Sequence, residues 1–252
     1  IKKLDKSVSV IIIENSKDFE LKHKVEKKYK NAKVIIPKYN KGIAYSINLA
    51  VKNTKKKYIM YLASDIDIKN SQIIQLLKKA NNTEKFGAIT AKIHNQDYKD
   101  LIINSKKTNG LTEVWFNTGC IMLMKKNLMK KVNYFDEKYF LYFEESDYYK
   151  RCIDKNLPIF MYDKVTIKHE GGAAIEENFR SEYQKVRNWH YCWSKFYYYK
   201  KHYGYLKGLS KTIPNLVRAI KSIIHGIFTF NFDKALTHYV HIFYTRFSRG
   251  NG

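Results

Sequence analysis

Cysteine is scarce in this 252-residue chain: only Cys120, Cys152 and Cys192 occur, far apart and without metal-ligand spacing. So sparse and odd a set excludes a disulfide framework and points to a reducing, cytoplasmic compartment. Long apolar runs are missing too. No stretch approaches the roughly 18 residues of a transmembrane span, and no signal peptide is visible. The chain opens on Ile1 rather than Met, so a native segment upstream is expected. Internal repeats are absent. Acidic residues are few, 23 against 47 Lys plus Arg, which leaves a formal net charge of +24. Disorder is excluded by the 44% hydrophobic content, and the length suits one large or two small domains with a sizeable core.

So basic a chain invites a nucleic-acid-binding reading, but the distribution of charge tempers it. Lysines such as those of residues 22–30 sit at helical spacing, where a solvated face is the ordinary explanation. Residues 180–252 differ: thirteen Lys or Arg stand against two acids and are interleaved with aromatic residues. Such a surface calls for an anionic partner, either lipid headgroups or a polyanion. We therefore divide the chain into residues 1–178 and a basic, aromatic, helical extension, 179–252.

The first hundred residues alternate strand and helix. Apolar runs at 7–13, 33–37, 58–62 and 86–93 predict strands, and the periods at 19–29, 43–52 and 71–80 predict helices. This rhythm predicts an α/β fold with a mainly parallel sheet flanked by helices. Later, a short helix is expected at 127–132, a helix at 148–154 opened by Glu144-Glu145-Ser146-Asp147, and two short strands at 159–162 and 165–167.

Chemistry-bearing residues fall at the ends of these elements. The strand at 58–62 runs into Asp65-Ile66-Asp67, and open α/β sheets bind ligands beyond the carboxyl ends of their strands. Two carboxylates one residue apart suit a divalent cation held against a diphosphate, although acidic triplets are also common at solvated strand ends. Glu144 and Glu145 offer a general base for an acceptor hydroxyl, or simply acids favoured at a helix start. His169 offers a metal-binding imidazole, or an ordinary turn histidine.

These clusters lie within an ordered series: Ile11-Ile12-Ile13-Glu14-Asn15-Ser16-Lys17-Asp18; Asn40-Lys41-Gly42-Ile43-Ala44 with Asn48; Leu62-Ala63-Ser64-Asp65 with Asp67; Thr118-Gly119-Cys120; Phe135-Asp136-Glu137 continuing from Phe140 to Asp147; and Ile167-Lys168-His169-Glu170-Gly171-Gly172. The series resembles the inverting nucleotide-sugar glycosyltransferases of family 2, especially their rhamnosyltransferase-like branch, over roughly two thirds of the chain. The resemblance implies a GT-A-like fold, a UDP- or dTDP-sugar donor and a Mg²⁺ or Mn²⁺ ion. On that mapping Glu14, Asn15, Asn40, Gly42, Asn48 and Asp65 serve the nucleotide-sugar. Asp65, Asp67 and His169 serve the metal, and Gly119, Cys120 and Asp147 lie on the acceptor side. The base falls on Glu145, where the family usually has Asp, with Glu144 as the competing assignment.

One departure is expected in the sheet. The family's first strand and helix precede the Glu14 turn, yet only residues 1–6 precede the matching strand here. The expected activity is transfer of a hexose or deoxyhexose to a glycan or lipid-linked acceptor in cell-surface polysaccharide synthesis. The rivals are an inactive relative acting as an interaction module and a nucleic-acid-binding protein, which leaves the ordered acidic clusters unexplained. In the extension, Ile213, Leu216, Val217, Ile220, Ile223, Ile224 and Ile227 recur at helical spacing near Lys211, Arg218 and Lys221. That stripe either packs on its own domain or lies peripherally on the anionic inner face of a membrane.

Overall fold

A computed structural model describes residues 4–94, 96–168 and 180–228. The chain forms two compact units, one of residues 1–138 and 144–173 and the other of residues 139–143 and 174–252.

The first unit is α/β. Strand β1 (Val10–Ile13), helix α1 (Phe19–Lys28), β2 (Ala32–Ile35) and α2 (Gly42–Lys52) open it, and β1 and β2 pair in parallel as a two-stranded sheet. Next come β3 (Tyr58–Leu62), α3 (Asn70–Asn81), β4 (Ala88–Ile93), a 3₁₀ turn (Lys99–Leu101), β5 (Ile102–Thr108) and β6 (Leu111–Val114). The unit continues with β7 (Ile121–Lys125), α4 (Lys126–Lys131), α5 (Glu144–Ile153) and β8 (Ile159–Ile167). Six strands form the second sheet in the order β3-β7-β4-β8-β6-β5.

The sheet is mixed. β3, β4 and β8 run the same way, as βα units demand, while β7 lies antiparallel between β3 and β4, and β6 runs antiparallel to β8. The expected parallel order holds for the βα strands alone, because β6 and β7 belong to the later segment where the alternation of strand and helix stops. α3 covers one face. Its Ile73, Leu76 and Ala80, at helical spacing, are buried against a core that includes Ile89, Ala91, Ile121 and Leu123.

Three elements differ from the sequence reading. β5 and β6 were not foreseen; they form a hairpin closed by Asn109 (φ 52°) and Gly110 (φ 75°), the left-handed pair of a two-residue turn. The two short strands expected at 159–162 and 165–167 are one strand, β8, whose register against β4 shifts between Ala91 and Lys92. Asp163 lies inside this strand and pairs with Lys107 at 2.5 Å. Helix α5 begins at Glu144, four residues before the expected start, so all three acids of its opening sit inside the first turn.

The second unit holds the expected helical extension, α6 (Arg180–Tyr203) and α7 (Tyr205–Phe228). Residues 139–143 pack on α6: Phe140 stacks on His190 at 4.3 Å, Tyr139 lies 5.0 Å from Tyr197, and Ser194 Oγ donates to the Leu141 carbonyl. Among the described residues, no helix is long and apolar enough to cross a membrane.

Candidate active site

Strand pairing builds the centre of the site. β3 and β7 run antiparallel with Leu62 opposite Ile121, and the Ala63 N–H donates to the Cys120 carbonyl at 2.9 Å. The Asp65–Asp67 segment that leaves β3 therefore emerges beside Thr118-Gly119-Cys120, which enters β7. Asp65 is half-buried and Asp67 exposed.

A buried polar network fixes the approach to Gly119. Asn117 is fully buried; its amide donates to Thr90 Oγ1 and the Ala91 carbonyl, while its oxygen accepts from the Thr118 N–H and Tyr98 hydroxyl. Every polar group of that amide is thereby satisfied. The loop is pinned to β4, and Gly119 faces Glu145. A methyl group on Gly119 would lie 2.8 Å from Glu145 Cβ and 2.9 Å from its Cγ, closer than real contacts allow.

Glu144 and Glu145 occupy the first turn of α5, where the helix dipole favours negative charge. Glu144 Oε2 and Glu145 Oε2 are sealed from solvent and find no hydrogen-bond partner among the described residues. Burial pushes the Glu145 carboxyl above its usual range, against the pull of the Glu145, Ser146 and Gly119 backbone N–H groups. Burial and then the charge of Glu145 push Glu144 well above it. A carboxyl held in this way binds a proton more readily than an exposed one, a property that suits a general base.

Two tyrosines missed by sequence reasoning line the same place. Burial pushes the Tyr61 phenol up, with Glu144, Glu145, Cys120 and Asp65 adding to the effect. Burial followed by Glu145 and Cys120 does the same to Tyr149, whose hydroxyl is buried and lacks a partner among the described residues. Tyr61 lay within the apolar run before the acidic triplet, and Tyr149 one helical turn after Glu145, but neither position announces a buried phenol. The Cys120 thiol is pushed up to about 12 by burial, so it stays protonated and is no nucleophile.

Asp147 is fully buried and accepts from Arg151 Nε at 2.8 Å, while Arg151 Nη1 donates to the Val132 carbonyl. This pairing ties α5 to the end of α4.

On the other flank, Glu14 follows β1 and is buried. Its Oε1 accepts from the Ser16 N–H and hydroxyl, and its Oε2 from the Asp18 N–H. Burial pushes its pKa up, but these donors and the Lys17 N–H outweigh that and hold the carboxyl below its ordinary range. The Asn15 amide donates to Ser46 Oγ, which donates to the Gly42 carbonyl, and Asn40 Oδ1 accepts from the Gly42 N–H. Gly42 has φ 89°, a conformation that favours glycine, and begins α2. Asn15 Oδ1 is buried without a partner among the described residues. Asn48 is spent elsewhere: it donates to the Phe135 carbonyl and Glu137 Oε1 and accepts from the Phe135 N–H, clasping the 135–137 turn.

The structure thus brings Asp65, Gly119, Cys120, Glu144 and Glu145 into one neighbourhood, and Asn15, Asn40 and Gly42 into another. His169 lies outside the described residues. Among the described residues, no group of three His, Cys, Asp or Glu side chains converges as a metal cage. The carboxylates Asp65 and Asp67 nevertheless offer hard oxygen donors of the kind Mg²⁺ and Mn²⁺ accept while keeping waters or phosphate oxygens as remaining ligands.

The α/β architecture, with helices flanking a mixed sheet, is that of the GT-A-like fold. The sequence profile of Glycosyl transferase family 2 matches residues 2–149, and the chain belongs to that family. No curated protein matches the chain. Among solved structures, the mannosyltransferase PcManGT from Pyrobaculum calidifontis, in complex with GDP-Man and Mn²⁺, is similar at TM-score 0.57 and 9% identity, over 93% of this chain and 78% of that one. S. aureus TarS 1–349 in complex with UDP-GlcNAc matches at TM-score 0.54 and 12% identity, over 96% and 84%. GalNAc-T7 with UDP, GalNAc and Mn²⁺ matches at TM-score 0.54 and 10% identity over 77% of this chain, which spans only 45% of that one. Family and fold together support a glycosyltransferase.

Proposed function

We propose that the chain is a metal-dependent inverting glycosyltransferase that moves a hexose or deoxyhexose from a nucleoside diphosphate sugar to a glycan or lipid-linked acceptor. The observation that carries this reading is Glu145: its side chain packs on Gly119, one of its oxygens is sealed and without a partner among the described residues, and it shares its electrostatic neighbourhood with Asp65 just beyond β3.

Glu145 takes the proton from the acceptor hydroxyl, whose oxygen attacks the anomeric carbon from the face opposite the diphosphate. A single displacement inverts the configuration. Glu144 is buried, gains proton affinity from burial and then from the charge of Glu145, and is the competing base. Gly119, Cys120 and Asp147 shape the acceptor side: Gly119 by letting the base approach, Cys120 as a neutral wall, Asp147 by locking α5 to Arg151. Glu14 holds its turn so that Asn15, Asn40 and Gly42 face the nucleotide, and Asn48 acts through the 135–137 turn. Asp65 and Asp67, with His169, would hold Mg²⁺ or Mn²⁺, which when bound offsets the charge of the departing diphosphate.

GDP-Man with Mn²⁺ in the PcManGT complex, UDP-GlcNAc in that of TarS, and UDP with Mn²⁺ in that of GalNAc-T7 support a nucleotide-sugar donor with a divalent ion here. UDP- and dTDP-sugars are the first to test, on the rhamnosyltransferase-like pattern of motifs, and surface-polysaccharide synthesis on the cytoplasmic side is the setting that pattern suggests. Calorimetric titration of UDP and dTDP with and without Mn²⁺ tests the donor site. Mn²⁺ should strengthen binding, and Asp67→Asn should weaken the Mn²⁺-dependent part by about tenfold or more, roughly 1.4 kcal/mol. Nucleotide binding indifferent to both would contradict the assignment. An inactive relative would bind nucleotide yet turn over no donor.

A further inference from the structure

We propose that α7 lies flat on an anionic lipid surface, an interaction independent of the transfer chemistry. The face α7 turns to α6 is small and polar. Gly208 is buried with Phe196 and Lys200 so close that an added methyl would lie 3.1–3.2 Å from them. Asn215 accepts from Lys195 Nζ and donates to Cys192 Sγ, and Thr212 between them is half-buried. Positions 208, 212 and 215 repeat at helical spacing and form one face.

The large apolar residues are elsewhere on the helix. Ile213, Leu216, Val217, Ile220 and Ile224 lie 43–51% exposed, and Leu206 and Phe228 at its two ends are 80% exposed. Their spacing puts them on a single stripe roughly 30 Å long, bordered on one side by the face that packs on α6. The exposed Lys207, Lys211, Arg218 and Lys221 flank its other side, and α7 contains no acidic residue. Soluble monomers rarely leave so continuous an apolar surface in water.

Charge complementarity identifies the occupant. A nucleic acid would engage the cations but leave the aliphatic stripe in water. Lipid engages both: aliphatic side chains enter the acyl boundary while Lys and Arg meet the headgroups. Too polar to span a bilayer, the helix is amphipathic enough to lie in its interface. Pro214 has no N–H to donate to the Ser210 carbonyl, yet α7 runs unbroken past it.

The test is flotation of the full chain with vesicles of phosphatidylcholine alone or mixed with phosphatidylglycerol. Partitioning should be at least about tenfold stronger on the anionic vesicles and should fall as salt rises. Arg218→Gln with Lys221→Gln should weaken it by about 25-fold, at roughly fivefold per charge. Leu216→Ser with Ile220→Ser should abolish it. Because these side chains are exposed, both variants should keep the wild-type melting temperature and nucleotide affinity, which separates this outcome from failure of the proposed transferase activity. Equal binding to both vesicles, or binding untouched by the Leu216/Ile220 pair, overturns the proposal. So does absence of vesicle binding, whether the chain then dimerises through the stripe or binds duplex DNA through its cations.

Discussion

Gly119 and Glu145 depend on each other because the space a methyl on Gly119 would fill already holds the Glu145 side chain. Gly119→Ala should push the carboxyl aside by about 1 Å and lower kcat by about 100-fold, with donor affinity nearly unchanged. Steady-state kinetics check this, and an unaltered kcat would remove Glu145 from the reaction. The Glu144–Glu145 pair also predicts a pH dependence. Both carboxyls sit above the ordinary 4.5 in the folded protein. Their protonated forms are thus favoured by folding, and this stabilisation is complete below about 4.5 and declines as pH rises through the raised values. Glu145→Gln removes this effect, so in urea its stability relative to metal-free wild type should improve as pH rises through the raised values; a difference that does not change with pH would contradict the raised proton affinity of this pair. Asp65, Gly119 and Glu145 could be picked out in the sequence as candidates because each lies near the boundary of an element. Tyr61, Tyr149 and Asn117 could not, since an aromatic or amide side chain acquires its role only from neighbours brought by the sheet.

Asn48 shows how a single helix residue carries an element's position. Its side chain makes three hydrogen bonds across α2 to the 135–137 turn. Asn48→Ala strands the Phe135 amide and carbonyl and should cost about 2–3 kcal/mol, measurable by urea denaturation; a loss below about 0.5 kcal/mol would mean that water replaces the clasp. At this scale the βα half of the fold was readable, because apolar runs and helical periods alternate cleanly from β1 to β4. The β5–β6 hairpin was the chief omission, although Asn109-Gly110 is a strong hairpin turn signal; the lysine-rich flanks hid the strands. β8 looked broken because an ion pair, invisible in sequence, lets Asp163 sit inside a strand. For α7 the period was plain, but which face packs could not be read: the small residues, not the large ones, meet α6.

At the scale of the whole molecule, the first unit carries the complete described constellation of acids. The second concentrates positive charge and aromatic rings in two helices. Within a chain of net charge +24, the carboxylates the proposed chemistry uses are few, clustered and partly buried. The central claim is that Glu145 deprotonates an acceptor within a metal-dependent donor site. Its most direct test is turnover of UDP- and dTDP-sugars with Mn²⁺ by wild type, Glu145→Gln and Glu144→Gln, each with its donor affinity measured on the same preparation. The account predicts that Glu145→Gln alone loses about 100-fold or more in kcat while donor binding stays within about twofold. Full activity in Glu145→Gln, or the same loss in Glu144→Gln only, would contradict it.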